Sequence, residues 1–197
     1  MSLTPTGDSS STKQNHRLSF GAMFSFVAGV AIVWIMLYQV NRWVFSDAHL
    51  TGFISWIFLP AAIRMLAVMV GGWTGALGLF LGALLTNLMF TDLEVLNGMI
   101  LAALSALGPL IAVYLCTRWL NLPNDLSGLD RSQLLVFAVA GAIFNVFPHN
   151  LYFYLTGISD DAWSGVVPMF VGDLLGTLSV LYVASLSIRL ILSRVRA

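Results

Sequence analysis

Six long apolar stretches follow one another along the chain, and charge is almost confined to the gaps between them. Leu18 to Asn41 carries no charge. Thr51 to Val70 carries only Arg64. Trp73 to Phe90, Val95 to Cys116 and Ser132 to Gly157 carry none, and Trp163 to Ile188 carries only Asp173. Roughly 20 mostly apolar residues cross a bilayer as an α-helix, so each stretch predicts one spanning helix. The pattern therefore reads as an all-α membrane protein, a bundle of six transmembrane helices over residues 18–190. Residues 1–17, rich in Ser and Thr with Pro5 and Gly7, read as a disordered cytoplasmic tail, and 191–197 as a short basic one. The first apolar stretch is too long for the core of a signal peptide and lacks a small-x-small cleavage site, which makes it an uncleaved first helix.

Composition sharpens this reading. Of the 197 residues, 58% are hydrophobic and 9% charged, where an average soluble domain carries about 25% charged residues. So little charge cannot clothe a water-soluble surface, and disorder is excluded because it needs low hydrophobicity and high charge. One cysteine, Cys116, excludes a disulfide framework and a cysteine-based zinc site. A formal net charge of zero and the lack of a large basic cluster give no case for nucleic acid as a partner.

Charge also predicts sidedness. With the N-terminus inside, the cytoplasmic loops and tails collect Lys13, Arg17, Arg118, Arg131, Arg189, Arg194 and Arg196, against Arg42 alone outside. This bias places both termini in the cytoplasm, and the expected location is the cytoplasmic (inner) membrane, crossed several times. The outer loops then hold Asp47, Asp92, Glu94, Asp160 and Asp161, and Trp43, Trp56, Trp119 and Trp163 fall near helix ends, where an interfacial belt is expected.

Arg64 and Asp173 are the first candidates to carry chemistry. A charge in hydrocarbon costs at least ~2.5–3.5 kcal/mol and calls for a partner or a cavity. Counted from the outer ends of their stretches, Arg64 lies about 20 Å deep and Asp173 about 15 Å deep at 1.5 Å per residue. An arginine side chain spans that difference, so a buried Arg64–Asp173 pair joining helices two and six is predicted. Its plain reading is a structural clasp; its functional reading is a ligand-binding or proton-sensitive pair.

Helix five adds Asn145, His149 and Asn150, the first two on one face at i and i+4. Pro148 between them removes a backbone hydrogen bond and kinks the helix. Together with Asn87 on helix three they predict a polar cluster in the outer half of the membrane. Trp56, Phe58, Phe90, Tyr152 and Tyr154 are candidate pocket walls. The plain alternative is interhelical hydrogen bonding. His49 and His149 are too sparse a set to predict a haem or metal, and no cofactor is expected.

Gly71, Gly75, Gly78 and Gly82 form a stripe of small residues, and Gly172 and Gly176 flank Asp173. Such stripes let backbones approach closely, either within the bundle or in a homo-oligomer. No P-loop, no dinucleotide fingerprint, no HExxH and no nucleophile elbow occurs, so no enzyme is expected.

Leu59-Pro60-Ala61-Ala62, Leu81 to Leu88 with Asn87, and Gly172-Asp173-Leu174-Leu175-Gly176 resemble the first class of bacterial membrane-associated sensor domains. These are integral-membrane input modules usually joined to histidine kinases or cyclic-di-GMP enzymes. The resemblance spans roughly residues 50–190 and implies family-typical roles for Pro60, Asn87, Gly172, Asp173 and Gly176. The chain departs from the family in having six predicted helices rather than about eight, in Arg64, and in having no output domain before Ala197. The expectation is thus a sensory or regulatory module for signal transduction that acts through a membrane or cytoplasmic protein partner. Six helices in about 20 kDa also resemble the substrate-binding subunits of energy-coupling-factor vitamin transporters, where the glycine stripe would dock a partner. A structural or assembly subunit of a larger complex is the third reading.

Overall fold

The computed structural model describes residues 20–45, 54–119, 121 and 131–195, with side chains described except at 131, 181 and 183–195. Six helices occur among them: α1 Phe20–Val44, α2 Ala61–Gly71, α3 Trp73–Phe90, α4 Val95–Trp119, α5 Arg131–Leu155 and α6 Val166–Val195. No strand occurs among the described residues. The helices α1, α3, α4 and α5 are each long and apolar enough to cross a bilayer. Their outward faces carry large apolar side chains, including Phe24, Met36, Trp73, Leu96 and Tyr114. Water cannot cover so continuous an apolar surface, whereas lipid can. The protein is a helical membrane protein.

The second apolar stretch departs from expectation. It is not one helix over Thr51–Val70. Residues 54–60 are non-helical, and α2 starts only at Ala61 and runs for 11 residues, about 16 Å, too short to cross alone. Pro60 is the local cause. It disfavours helix at the residue before it and is well suited to a helix start; here it caps α2 with φ −61°. The non-helical backbone needs other partners, since none of its groups can be left bare in a buried apolar setting. Asn41, fully buried at the end of α1, accepts the Leu59 N–H on its Oδ1 at 2.8 Å. Gly172 of α6 accepts the Phe58 N–H at 3.0 Å, and Phe58 accepts that of Ala61 at 3.1 Å. The Ser55 hydroxyl turns back onto Ile57, accepting its N–H and donating to its carbonyl.

Around this segment, α3 is the central helix, packed against α1, α2 and α4. The glycine stripe is used up inside the bundle. Gly78 and Gly82 lie on Val27, Val30 and Trp34 of α1, and Gly75 lies on the Ala67 backbone of α2. It is therefore not a free docking face. Gly71 closes α2 rather than belonging to α3, and Gly72 makes the turn between them with φ +53°, a backbone state that glycine enters without steric cost. Gly172 and Gly176 do not meet another helix; they pack on the backbone of Ser55 and Phe58. Beside α4, the Phe144 carbonyl, freed by Pro148 four residues later, lies against Gly108.

These contacts rank the glycines. At Gly75 an added Cβ would land on the Ala67 carbonyl, which is backbone; at Gly71 it would meet the end of the Phe26 ring, which can turn away. Gly75→Ala should therefore lower the thermal midpoint by several degrees, and Gly71→Ala by much less. A thermal ramp of the two purified variants checks the order.

Candidate functional site

Arg64 sits one turn into α2 and is 5% exposed, and Asp173 of α6 is 3% exposed. Arg64 Nη1 donates to Asp173 Oδ2 at 2.7 Å. Asn145 of α5 donates its Nδ2 to the same carboxylate oxygen, also at 2.7 Å. One carboxylate oxygen thus joins α2, α5 and α6. The guanidinium is flanked by aromatic rings, with its carbon 5.0 Å from the Phe58 centroid and 5.4 Å from that of Trp34, within range of cation–π attraction. Trp34 is itself fixed by donating Nε1–H to Thr86 Oγ1 at 3.2 Å.

The local sequence explains the placement. The Phe58 N–H binds the Gly172 carbonyl, so the residue after that glycine, Asp173, is delivered beside the start of α2. The missing side chains at Gly172 and Gly176 let the extended segment lie flat on α6. That segment presents Phe58 to Arg64. The set is not fully satisfied: Arg64 Nε, Asp173 Oδ1 and Asn145 Oδ1 are buried without a hydrogen-bond partner. Such groups are rare in proteins and mark strain, an absent water or a functional role.

A cavity of about 70 Å³ opens from this pair. Its lining includes Arg64, Asp173, Phe58, Ser105, His149, Tyr38 and Asn87, and Thr91 in the α3–α4 loop. That end of the bundle also bears Arg42, Asp92, Glu94, Asp160 and Asp161, all exposed. Met65, Met69, Ala112, Cys116 and Phe137 form a separate buried apolar cluster. His149 is pinned at both nitrogens: Nδ1 lies 2.7 Å from the Asn145 carbonyl and Nε2 lies 3.3 Å from Ser105 Oγ. A proton on Nδ1 lets the ring donate to the carbonyl and accept from the hydroxyl. The pair also ties α4 to α5.

The structure thus brings Arg64, Asp173 and Asn145 into direct contact and puts His149 on the same cavity. Asn87 lines the cavity but donates Nδ2 to the Gly98 carbonyl at 3.0 Å, joining α3 to α4. Asn150 stands apart. It donates to the Val146 carbonyl and faces Met169, because one position along a helix turns it about 100° from His149. Of the predicted aromatic walls only Phe58 lines the cavity. Trp56 and Tyr154 point outward, Phe90 stacks on Tyr38, and Tyr152 donates to Asn97. The aromatic lining comes instead from Trp34, Tyr38 and Phe153. Trp34 carried a legible signal: a tryptophan in mid-helix is far from either interfacial belt. Ser105 carried none, being one serine in an apolar run. His49 lies outside the described residues, and no cluster of three metal-ligating side chains occurs among the described ones.

Compared with protein-family models, with curated proteins and with solved structures, the chain matches none of them.

Proposed function

We propose that this chain is a sensory or regulatory membrane module that admits a small solute to the cavity above Arg64 and Asp173 and acts through a partner protein. One observation carries the reading: a cavity with both apolar and polar walls is lined by a buried ion pair that ties two separate helices together. A solute that binds better when the pair is altered shifts the balance between two arrangements of α2 and α6, which is what a sensor requires. The resemblance of the Gly172–Gly176 segment to membrane-associated sensor domains supports the same role, with no catalysis in the chain itself. The Lys and Arg distribution supports an N-terminus in the cytoplasm, six passages through the inner membrane, and a cavity mouth facing outward.

A second reading, the substrate-binding component of a small-solute transporter, is favoured by the broken second stretch. Non-helical backbone next to a buried polar site is a recurring feature of transporters.

Labelling tests the reading. In Thr91→Cys, an impermeant thiol reagent applied from outside should modify residue 91 near the mouth. The native Cys116, 2% exposed, should stay unmodified as an internal control. A small solute that occupies the cavity should slow the labelling and raise the thermal midpoint; binding at a hundredfold over Kd adds about 2.7 kcal/mol. Labelling from the cytoplasmic side only, or no solute giving protection, would overturn the proposal. Gentle purification from native membranes separates the partners: a signalling enzyme supports the sensor, and an ATPase pair supports the transporter.

A further inference from the structure

We infer that the cavity takes a small organic anion, a short carboxylate, which competes with Asp173 for Arg64 and so releases α6 from α2. This rests on the sensory reading above and names the ligand class of that site.

The guanidinium has five N–H donors, and the ion pair is held through only one nitrogen, Nη1. Nε has no partner. The rings of Phe58 and Trp34 flank the group and hold it in place when its partner changes. A carboxylate can bind an arginine edge through two parallel hydrogen bonds, which is the stronger geometry. Asp173 is ready to be exchanged, because its bonded oxygen also accepts from Asn145 at 2.7 Å. After release it keeps that donor on α5, while its link to α2 is gone.

The rest of the cavity fits the same class. Among its uncharged polar side chains, Tyr38 has its hydroxyl and Asn87 a second Nδ2–H to offer an anion, while the hydroxyls of Ser105 and Thr91 already donate to His149 Nε2 and to the Asn87 carbonyl. The two rings nearest the pair are already engaged by the guanidinium, which leaves them unavailable to a cationic ligand, and the choice between an anion on Arg64 and a cation on Asp173 is what the matched probes below decide. At about 70 Å³, several times the roughly 10–15 Å³ that one water needs on the same measure, the cavity has room for a carboxylate head with its short tail toward the mouth.

The test uses the purified full-length protein and three probes of matched shape: propionate, propionamide and propylammonium, read by calorimetry and thermal midpoint. Propionate should bind, and the other two should bind at least tenfold more weakly. Asp173→Asn removes the competing charge and should tighten propionate at least tenfold. The double variant Arg64→Gln, Asp173→Asn keeps an uncharged, hydrogen-bonding pair, so it is suited to folding, and it should lose propionate binding. Propylammonium or propionamide binding as tightly as propionate overturns the anion while leaving the sensory reading in place. Propionate binding that the double variant retains overturns Arg64 as its site. If no solute protects Thr91→Cys from labelling, both readings fall together.

Discussion

Asp173→Ala should be the most damaging single side-chain truncation in the bundle. It removes the carboxylate that receives both Arg64 Nη1 and Asn145 Nδ2 and leaves a guanidinium 5% exposed with no counter-charge. Breaking a buried pair in this way costs about 3–5 kcal/mol, a large share of a typical total stability of ~5–15 kcal/mol. Arg64→Ala should cost a similar amount, because it strands the carboxylate, although Asn145 still donates to it. The double variant Arg64→Ala, Asp173→Ala should recover part of the loss, since no buried charge then remains. Folded yield by size-exclusion chromatography, with thermal midpoints for the variants that survive, gives the cycle. A loss in the double variant equal to the sum of the two single losses would mean that the two side chains act independently, and the pair would then be of no energetic consequence.

The same pair shows what a sequence can and cannot give. Two lone charges in two apolar stretches have few places to go, so their meeting is legible from hydropathy, whereas the depth counted for Arg64 at helical rise does not hold because residues 54–60 are not helical. The Asn145 contact was half legible: its depth was right, but nothing indicated that it would share an oxygen with Arg64. The break in the second stretch is not legible in hydropathy, which is blind to backbone conformation. Leu59, Ile57 and Phe58 are as apolar as any helical residue, and the cue is Pro60, whose ring disfavours helix at the residue before it. Asn41, taken as the boundary of a span, holds the Leu59 N–H. A polar side chain counted as an end marker was in fact the partner of an unwound segment. The cavity walls were misassigned for a simpler reason. Aromatic residues near predicted helix ends were given to the pocket, yet sequence spacing does not tell which face of a helix meets α3. The helix-five asparagines make this concrete, since Asn145 binds the ion pair and Asn150 looks away.

Gly172→Ala and Gly176→Ala should each disrupt the fold out of proportion to the single carbon added. An added Cβ at residue 172 would fall on the Ser55 carbonyl oxygen, and one at residue 176 on that of Phe58. Neither obstacle is a side chain that can rotate. Moving the segment 54–60 off α6 would break the Phe58 N–H bond to the Gly172 carbonyl and pull Phe58 from Arg64. Overpacking alone costs about 1–3 kcal/mol, and an unpaired buried peptide group adds roughly 1–3 kcal/mol. A loss of ~3 kcal/mol or more is expected for each variant. Gly29 is the control, because nothing lies within 4 Å of a Cβ placed there, so Gly29→Ala should match the parent protein. Thermal midpoints of the three variants decide the matter. The damage should also reach the site: propionate binding should fall in any Gly172→Ala or Gly176→Ala protein that still folds, since Phe58 no longer flanks the guanidinium. If both variants melt like Gly29→Ala, the extended segment is not seated on α6, and the link from Pro60 through Gly172 to the Arg64–Asp173 pair fails at its first step.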